Sequence, residues 1–210
     1  IRALVVDTDA TIARFTDDRE RLVSSADGAH GVSSVSREAA YEKMRRVLAA
    51  SGVREELLLT EAVRESPNDE SDPGRRSWNF LWDRSYKRIP YWEQKAGLYI
   101  QESTGIVRHF GVRFPGGRPV SSAQFFTQEH AQLRAGEVLS ARGITELTWR
   151  RTRKMVVRPN TQWEANGTDE PLPGPPRVAW VVEYAGGRIC EVWVDTETGK
   201  VIGGVEITFC

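Results

Sequence analysis

The chain has little cysteine, no surplus of either charge and no long hydrophobic run. Cys190 and Cys210 are its only cysteines. If the segments around a turn at residues 195–199 pair as a hairpin, Cys190 faces about Val205. Cys210 then lies roughly 17 Å further along the strand, beyond the about 7 Å between Cα atoms that a disulfide tolerates. Two free thiols are expected, and neither has a histidine nearby in sequence to activate it. Lys plus Arg and Asp plus Glu number 29 each, for a formal net charge of zero. A nucleic-acid partner would select a basic surplus, so none is expected. The one dense basic stretch, Arg150-Arg151-Thr152-Arg153-Lys154, reads as the wet face of a strand. No segment approaches the ~20 apolar residues of a membrane helix, so no membrane insertion is expected. No secretory leader opens the chain. It begins at Ile1, already inside a strand pattern, as a mature form or an excised piece of a longer chain does.

Motifs for catalysis and metal binding are also missing. His30, His109 and His130 fall in a loop, a hairpin strand and a helix, with no H-E-x-x-H or C-x-x-C spacing. Glu129 and His130 are adjacent on a helix and point about 100° apart, which does not make a metal site. Gly116-Gly117 and Gly186-Gly187 lack the Lys-Ser/Thr that completes a phosphate loop. Asp7, Asp195 and Glu197 read as exposed turn residues with no acid–base role, and Asn166-Gly167-Thr168 reads as plain loop. No catalytic residue, metal ligand or cofactor is expected. If the chain enclosed a small-ligand pocket or were an enzyme, His109 and Glu183 would be the least implausible pair, although nothing in their spacing brings them together.

What the chain does have is a recurring unit. Residues 187–209 read as two strands about the turn Asp195-Thr196-Glu197-Thr198-Gly199, and residues 97–110 and 3–15 repeat the pattern. Val6, Ile100 and Val194, the last strand residues before each turn, are evenly spaced. A helix recurs as well. Ser36 caps a segment that stops at Gly52, with Ala40, Met44, Val47 and Leu48 on one face. Thr127 caps a second that stops at Gly143, with Ala131, Ala135, Val138 and Leu139 on the matching face. Strand material follows each helix. Residues 56–65 and 76–86 follow the first, the latter with Trp78, Phe80 and Trp82 on one face, and Ile89-Pro90 is expected to break it. Residues 144–158 and 178–185 follow the second, around a proline-rich loop at 159–176. A loop is likewise expected at 67–75, and a linker at 16–34. The physical reading is an amphipathic helix across a curled antiparallel sheet, twice over.

The strand Ala179-Trp180-Val181-Val182, followed by Val194-Asp195-Thr196-Glu197-Thr198-Gly199-Lys200-Val201, resembles the PepSY group, and more narrowly the repeated PepSY-like domains of the YcdB/YcdC type. In the first copy the matching residues are Ser77-Trp78-Asn79-Phe80 and residues 100–106. Residues 84–91 resemble the extra arm of that repeat. Gln101 stands where Asp is usual, and Ala10-Thr11 replaces Thr-Gly. The resemblance implies an α+β fold of two tandem cystatin-like units, each one helix packed on an antiparallel sheet of about four strands. Residues 1–34 would be the tail hairpin of a preceding repeat plus linker, with repeats at 35–117 and 118–210. It also implies a non-catalytic protein-binding module, extracellular or in the cell envelope, that restrains a peptidase or modulates an envelope protein. Sheet edges and loops would form the contacts, with Trp82, Trp92 and Trp163 as candidate partner-contact residues or, alternatively, as packing beneath the loops. The other reading is a structural spacer repeat of a larger surface protein.

Overall fold

The computed structural model describes residues 3–6, 12–16, 35–65, 76–103, 105, 107–114, 117–163 and 174–208. The expected turn at 7–11, the linker expected at 16–34 apart from Thr16, which ends a strand, the loop at 67–75, the loop residues Asn166-Gly167-Thr168 and Cys210 lie outside the described residues. The chain divides into two compact units, Ile1–Arg84 with Glu93–Pro115, and Ser85–Trp92 with Gly116–Cys210.

In the first unit, helix α1 (Arg37–Ser51) begins where Ser36 accepts a hydrogen bond from the Ala39 amide and ends at Gly52, whose φ is 71°. The Ser side chain satisfies one orphan N–H of the first turn, and glycine takes the left-handed cap without steric cost. Strands β1 (Ala3–Val6), β2 (Ile12–Thr16), β3 (Glu56–Glu65), β4 (Ser77–Tyr86), β5 (Ile89–Gln101) and β6 (Val107–Arg113) follow the pairing order β1-β2-β6-β5-β4-β3. Ala40, Met44 and Val47 bury one helix stripe against Phe80, Trp82 and Leu98 of the sheet.

In the second unit, Thr127 caps helix α2 (Gln128–Ala141) by accepting from the His130 amide. Strands β7 (Thr148–Val157), β8 (Arg177–Ala185), β9 (Arg188–Asp195) and β10 (Val201–Thr208) pair antiparallel in sequence order. Helix α2 lies across β8 and β9. Alternation along the strands separates two buried layers. Val182, Cys190, Val192 and Val194 face the helix with Ala131, Ala135 and Leu139. Val181, Trp193, Met155 and Val157 form a cluster on the opposite face, with Trp92 against it.

Both helix starts are tied down in the same way. The indole N–H of Trp78 donates to the Val35 carbonyl at 2.9 Å, and that of Trp180 to the Phe126 carbonyl at 3.0 Å. The Val35 and Phe126 amides in turn donate to the carbonyls of Glu102 and Thr196, in the turn following β5 and β9 respectively. Each tryptophan therefore joins a strand to the residue just before a helix cap.

The expected pair of helix-on-four-strand units does not form. The strands hydrogen-bond along one ten-stranded mixed path, β1-β2-β6-β5-β7-β8-β9-β10, with β3 and β4 branching from β5. The reason lies at residues 84–91, expected as a separate arm broken at Ile89-Pro90. Lys87 and Arg88 both adopt positive φ, 50° and 64°, the backbone of a two-residue hairpin turn. Strand β5 starts directly after it and runs for 13 residues. Pro90 is tolerated near its start, where a missing N–H costs little. Within the second unit Tyr91 pairs in parallel with Val156.

A smaller correction concerns the last hairpin. A register shift between Val201 and Gly203 places Cys190 opposite Glu206 and Glu191 opposite Val205. Cys190 is a free, buried thiol.

Candidate functional site

Strand β7, Thr-Trp-Arg-Arg-Thr-Arg-Lys-Met-Val-Val, changes character along its length, with its last three residues buried and its first four exposed. It pairs with β8 from Thr148 to Val157. On its other side the pairing among the described residues is Tyr91 with Val156 alone. Residues 148–154 therefore present a strand edge with no strand partner among the described residues, and such an edge carries unpaired backbone donors and acceptors.

A β-bulge shapes the side chains on this edge. The register shifts between Trp149 and Arg151, so Arg150 is the extra residue and aims to the same face as Arg151. Both reach Glu183 on β8. Arg151 Nε donates to Glu183 Oε2 at 2.6 Å and Arg150 to Oε1 at 3.2 Å. Arg153 extends the row, donating to Glu183 Oε2 at 3.5 Å and to Glu191 Oε1 at 2.8 Å. The indole of Trp92 donates to Glu191 Oε2 at 2.8 Å and meets Trp193 edge-on at 4.9 Å between ring centroids. Three guanidinium groups thus share two carboxylates. The Glu183 side chain is 2% exposed, while those of Arg150 and Arg151 are 58% and 52% exposed. The carboxylates are sunk in the sheet and hold the arginines upright with their outer N–H groups in water. The network also leaves Arg153 Nε buried without a hydrogen-bond partner.

The other face of the same edge differs in chemistry. Trp149 is 52% exposed, and its indole donates to Thr152 Oγ1 at 3.0 Å. Gln132 of α2 donates to the same hydroxyl at 3.1 Å. Because α2 covers β8 and β9, the helix-side face at the start of β7 is left open. One edge therefore carries an arginine row on one face and a tryptophan on the other.

The residues singled out from sequence fall as follows. Trp82 is buried in the first unit and stacks on Phe80 at 6.2 Å. Trp163 is buried beside α2, donates to the Glu191 carbonyl at 2.8 Å, and has Arg142 over its ring at 5.7 Å. Trp92 is half-buried and meets the arginine row through Glu191. His109 is exposed in the first unit, whereas Glu183 is buried in the second and engaged by the three arginines. Asp195, expected exposed, is buried. It accepts the Glu197 and Thr198 amides at 2.8 Å each, closing the turn, and pairs with Arg177 at 2.8 Å. The Cys190 thiol is pushed up to about 11 by burial, with Glu206 adding to the shift. Among the described residues no group of three or more His, Cys, Asp or Glu is placed to hold a metal ion, and no helix is long and apolar enough to cross a membrane.

The exposed tryptophan beside the arginine row was missed in the sequence, where Trp149 alternates with Leu147 as if facing a core. The run of basic residues was the available signal. Its significance depends on the bulge, which no glycine or proline marks.

No family model matches the chain, and no curated protein matches it. Among solved structures it is similar to one described as the Bacillus megaterium YpeB C-terminal domain, at 9% identity and a TM-score of 0.41, over 98% of this chain and 82% of that one. A likeness of that degree assigns neither a fold nor a function to this chain.

Proposed function

We propose that the chain is a non-catalytic protein-binding module acting outside the cytoplasm, and that its second unit takes an extended segment of a partner along the open edge of β7. The observation that carries this reading is the stretch 148–154, paired on one side only among the described residues and carrying the exposed Trp149. An added strand gains main-chain hydrogen bonds from such an edge, and side chains on both faces supply selectivity. Tryptophan offers a large rigid contact surface at low entropic cost. The extracytoplasmic placement and a peptidase partner rest on the PepSY-like strand-turn motif at 179–182 and 194–201.

The test is capture from the source's extracellular fraction with the intact chain and with Trp149→Ala as baits. The side chain is exposed, so the variant keeps the fold. The reading expects a protein held by the first and weakened by about tenfold or more with the second, as for an aromatic anchor. Equal capture by both baits removes β7 from the interface. A captured peptidase is then assayed with and without the chain.

A further inference from the structure

We infer that the segment received by β7 is acidic and alternates acidic with apolar residues. This rests on the strand-addition reading above and adds the chemistry of the partner. Side chains of an added strand point alternately to the two faces of the sheet. On one face they meet Arg150, Arg151 and Arg153, and on the other they meet Trp149 and, further along, Lys154, whose ammonium lies over the Trp180 ring and donates to Gln124.

Charge decides what the first face accepts. The two carboxylates leave one of the three guanidinium charges uncompensated. Each guanidinium has five N–H donors. Arg150 uses only one of its terminal nitrogens on Glu183, and Arg151 only its Nε. Their remaining donors are half in water, oriented by a buried anchor. A carboxylate arriving from the edge meets pre-oriented guanidinium groups, which lowers the ordering cost of binding. A lysine arriving there meets like charge. On the second face an apolar side chain covers the Trp149 ring, while Thr152 already holds its indole N–H.

The experiment is calorimetric titration of the full chain with three strand-length peptides in which valine alternates with glutamate, glutamine or lysine. The glutamate peptide is expected to bind about tenfold more tightly than the glutamine one, since each rim ion pair contributes a few-fold. That advantage should shrink as ionic strength rises. The lysine peptide is expected to bind most weakly. Arg150→Glu should abolish the preference and Arg150→Gln should halve it, because Arg150 is the most exposed of the three and makes only the 3.2 Å bond. Equal affinity for the glutamate and glutamine peptides overturns the acidic preference while leaving strand addition standing. A glutamate preference unchanged in Arg150→Glu overturns the assignment to this arginine row. If no peptide binds, strand addition at β7 fails, and the inference with it.

Discussion

Gly204 is the position where a single methyl group should do most damage. A Cβ built there would lie 1.9 Å from Trp163 Nε1 and 2.0 Å from the Glu191 carbonyl oxygen. The Trp163 indole passes over the bare glycine of β10 to donate to that carbonyl at 2.8 Å. In Gly204→Ala the indole must retreat by about 1.5 Å to regain ordinary contact distance. It then loses its hydrogen bond, worth about 1 kcal/mol, and part of its burial beside α2. Full removal of a buried tryptophan costs about 3–5 kcal/mol, and displacement costs less. The clash with a backbone oxygen adds strain that no rotamer relieves. The sum comes to about 3 kcal/mol, or a fall in Tm of about 6–12 °C for a chain of this size. Urea and thermal unfolding followed by tryptophan emission measure it. Gly187→Ala is the control, since a Cβ there meets nothing within 4 Å, and it should change stability by less than about 0.5 kcal/mol. In a Trp163→Ala background the Gly204→Ala penalty should shrink without vanishing, because the Glu191 carbonyl stays in place. A Gly204→Ala protein within about 1 kcal/mol of the parent would refute the reasoning.

The arginine row predicts an asymmetry. Glu183→Ala, which removes the buried acceptor shared by three arginines, should cost about 2 kcal/mol in lost charged hydrogen bonds, while Arg150→Ala, at the exposed end, should cost about 1 kcal/mol or less; paired urea titrations decide. At the β4–β5 turn, replacing Lys87-Arg88 by Asn-Gly should raise stability by about 1 kcal/mol, because those residues suit positive φ. A neutral or destabilising result in thermal melts would contradict the turn assignment. Cys190 predicts a pH effect. Its folded thiol is raised from 9.0 to about 11, so its contribution is full below pH 9 and is lost as pH climbs toward 11. Cys190→Ala should be less stable at pH 7 but show a shallower decline over that window, by roughly 2 kcal/mol; with Cys210 replaced by serine, thiol reagents should leave the native chain unmodified at pH 8.

Much of the local structure was legible because caps and faces are local. Ser36, Gly52 and Thr127 marked the helix ends, and Ala40, Met44, Ala131 and Ala135 marked the stripes that are buried. The valine-rich β8 and β9 and the Asp195–Gly199 turn were equally plain. The sheet's overall path was not. It depends on Lys87-Arg88 turning in a backbone that neither residue advertises, and on Tyr91 finding Val156, a pairing set by tertiary structure. The tryptophans misled for a related reason. Alternation tells which residues share a face but not which part of that face a helix covers. Trp163 is therefore buried in the cluster that α2 covers, and Trp149, near the start of β7 and to the side of the β8 and β9 faces on which α2 lies, is exposed. The basic run was visible as composition, yet its convergence on Glu183 required the bulge at Arg150.

The most direct test of the account is amide hydrogen exchange along β7, read residue by residue with and without the glutamate–valine peptide at saturation. Edge occupation predicts that alternate amides between Thr148 and Lys154, those facing away from β8, slow by at least tenfold when the peptide binds. Exchange there that stays unchanged while binding is demonstrated elsewhere would contradict it.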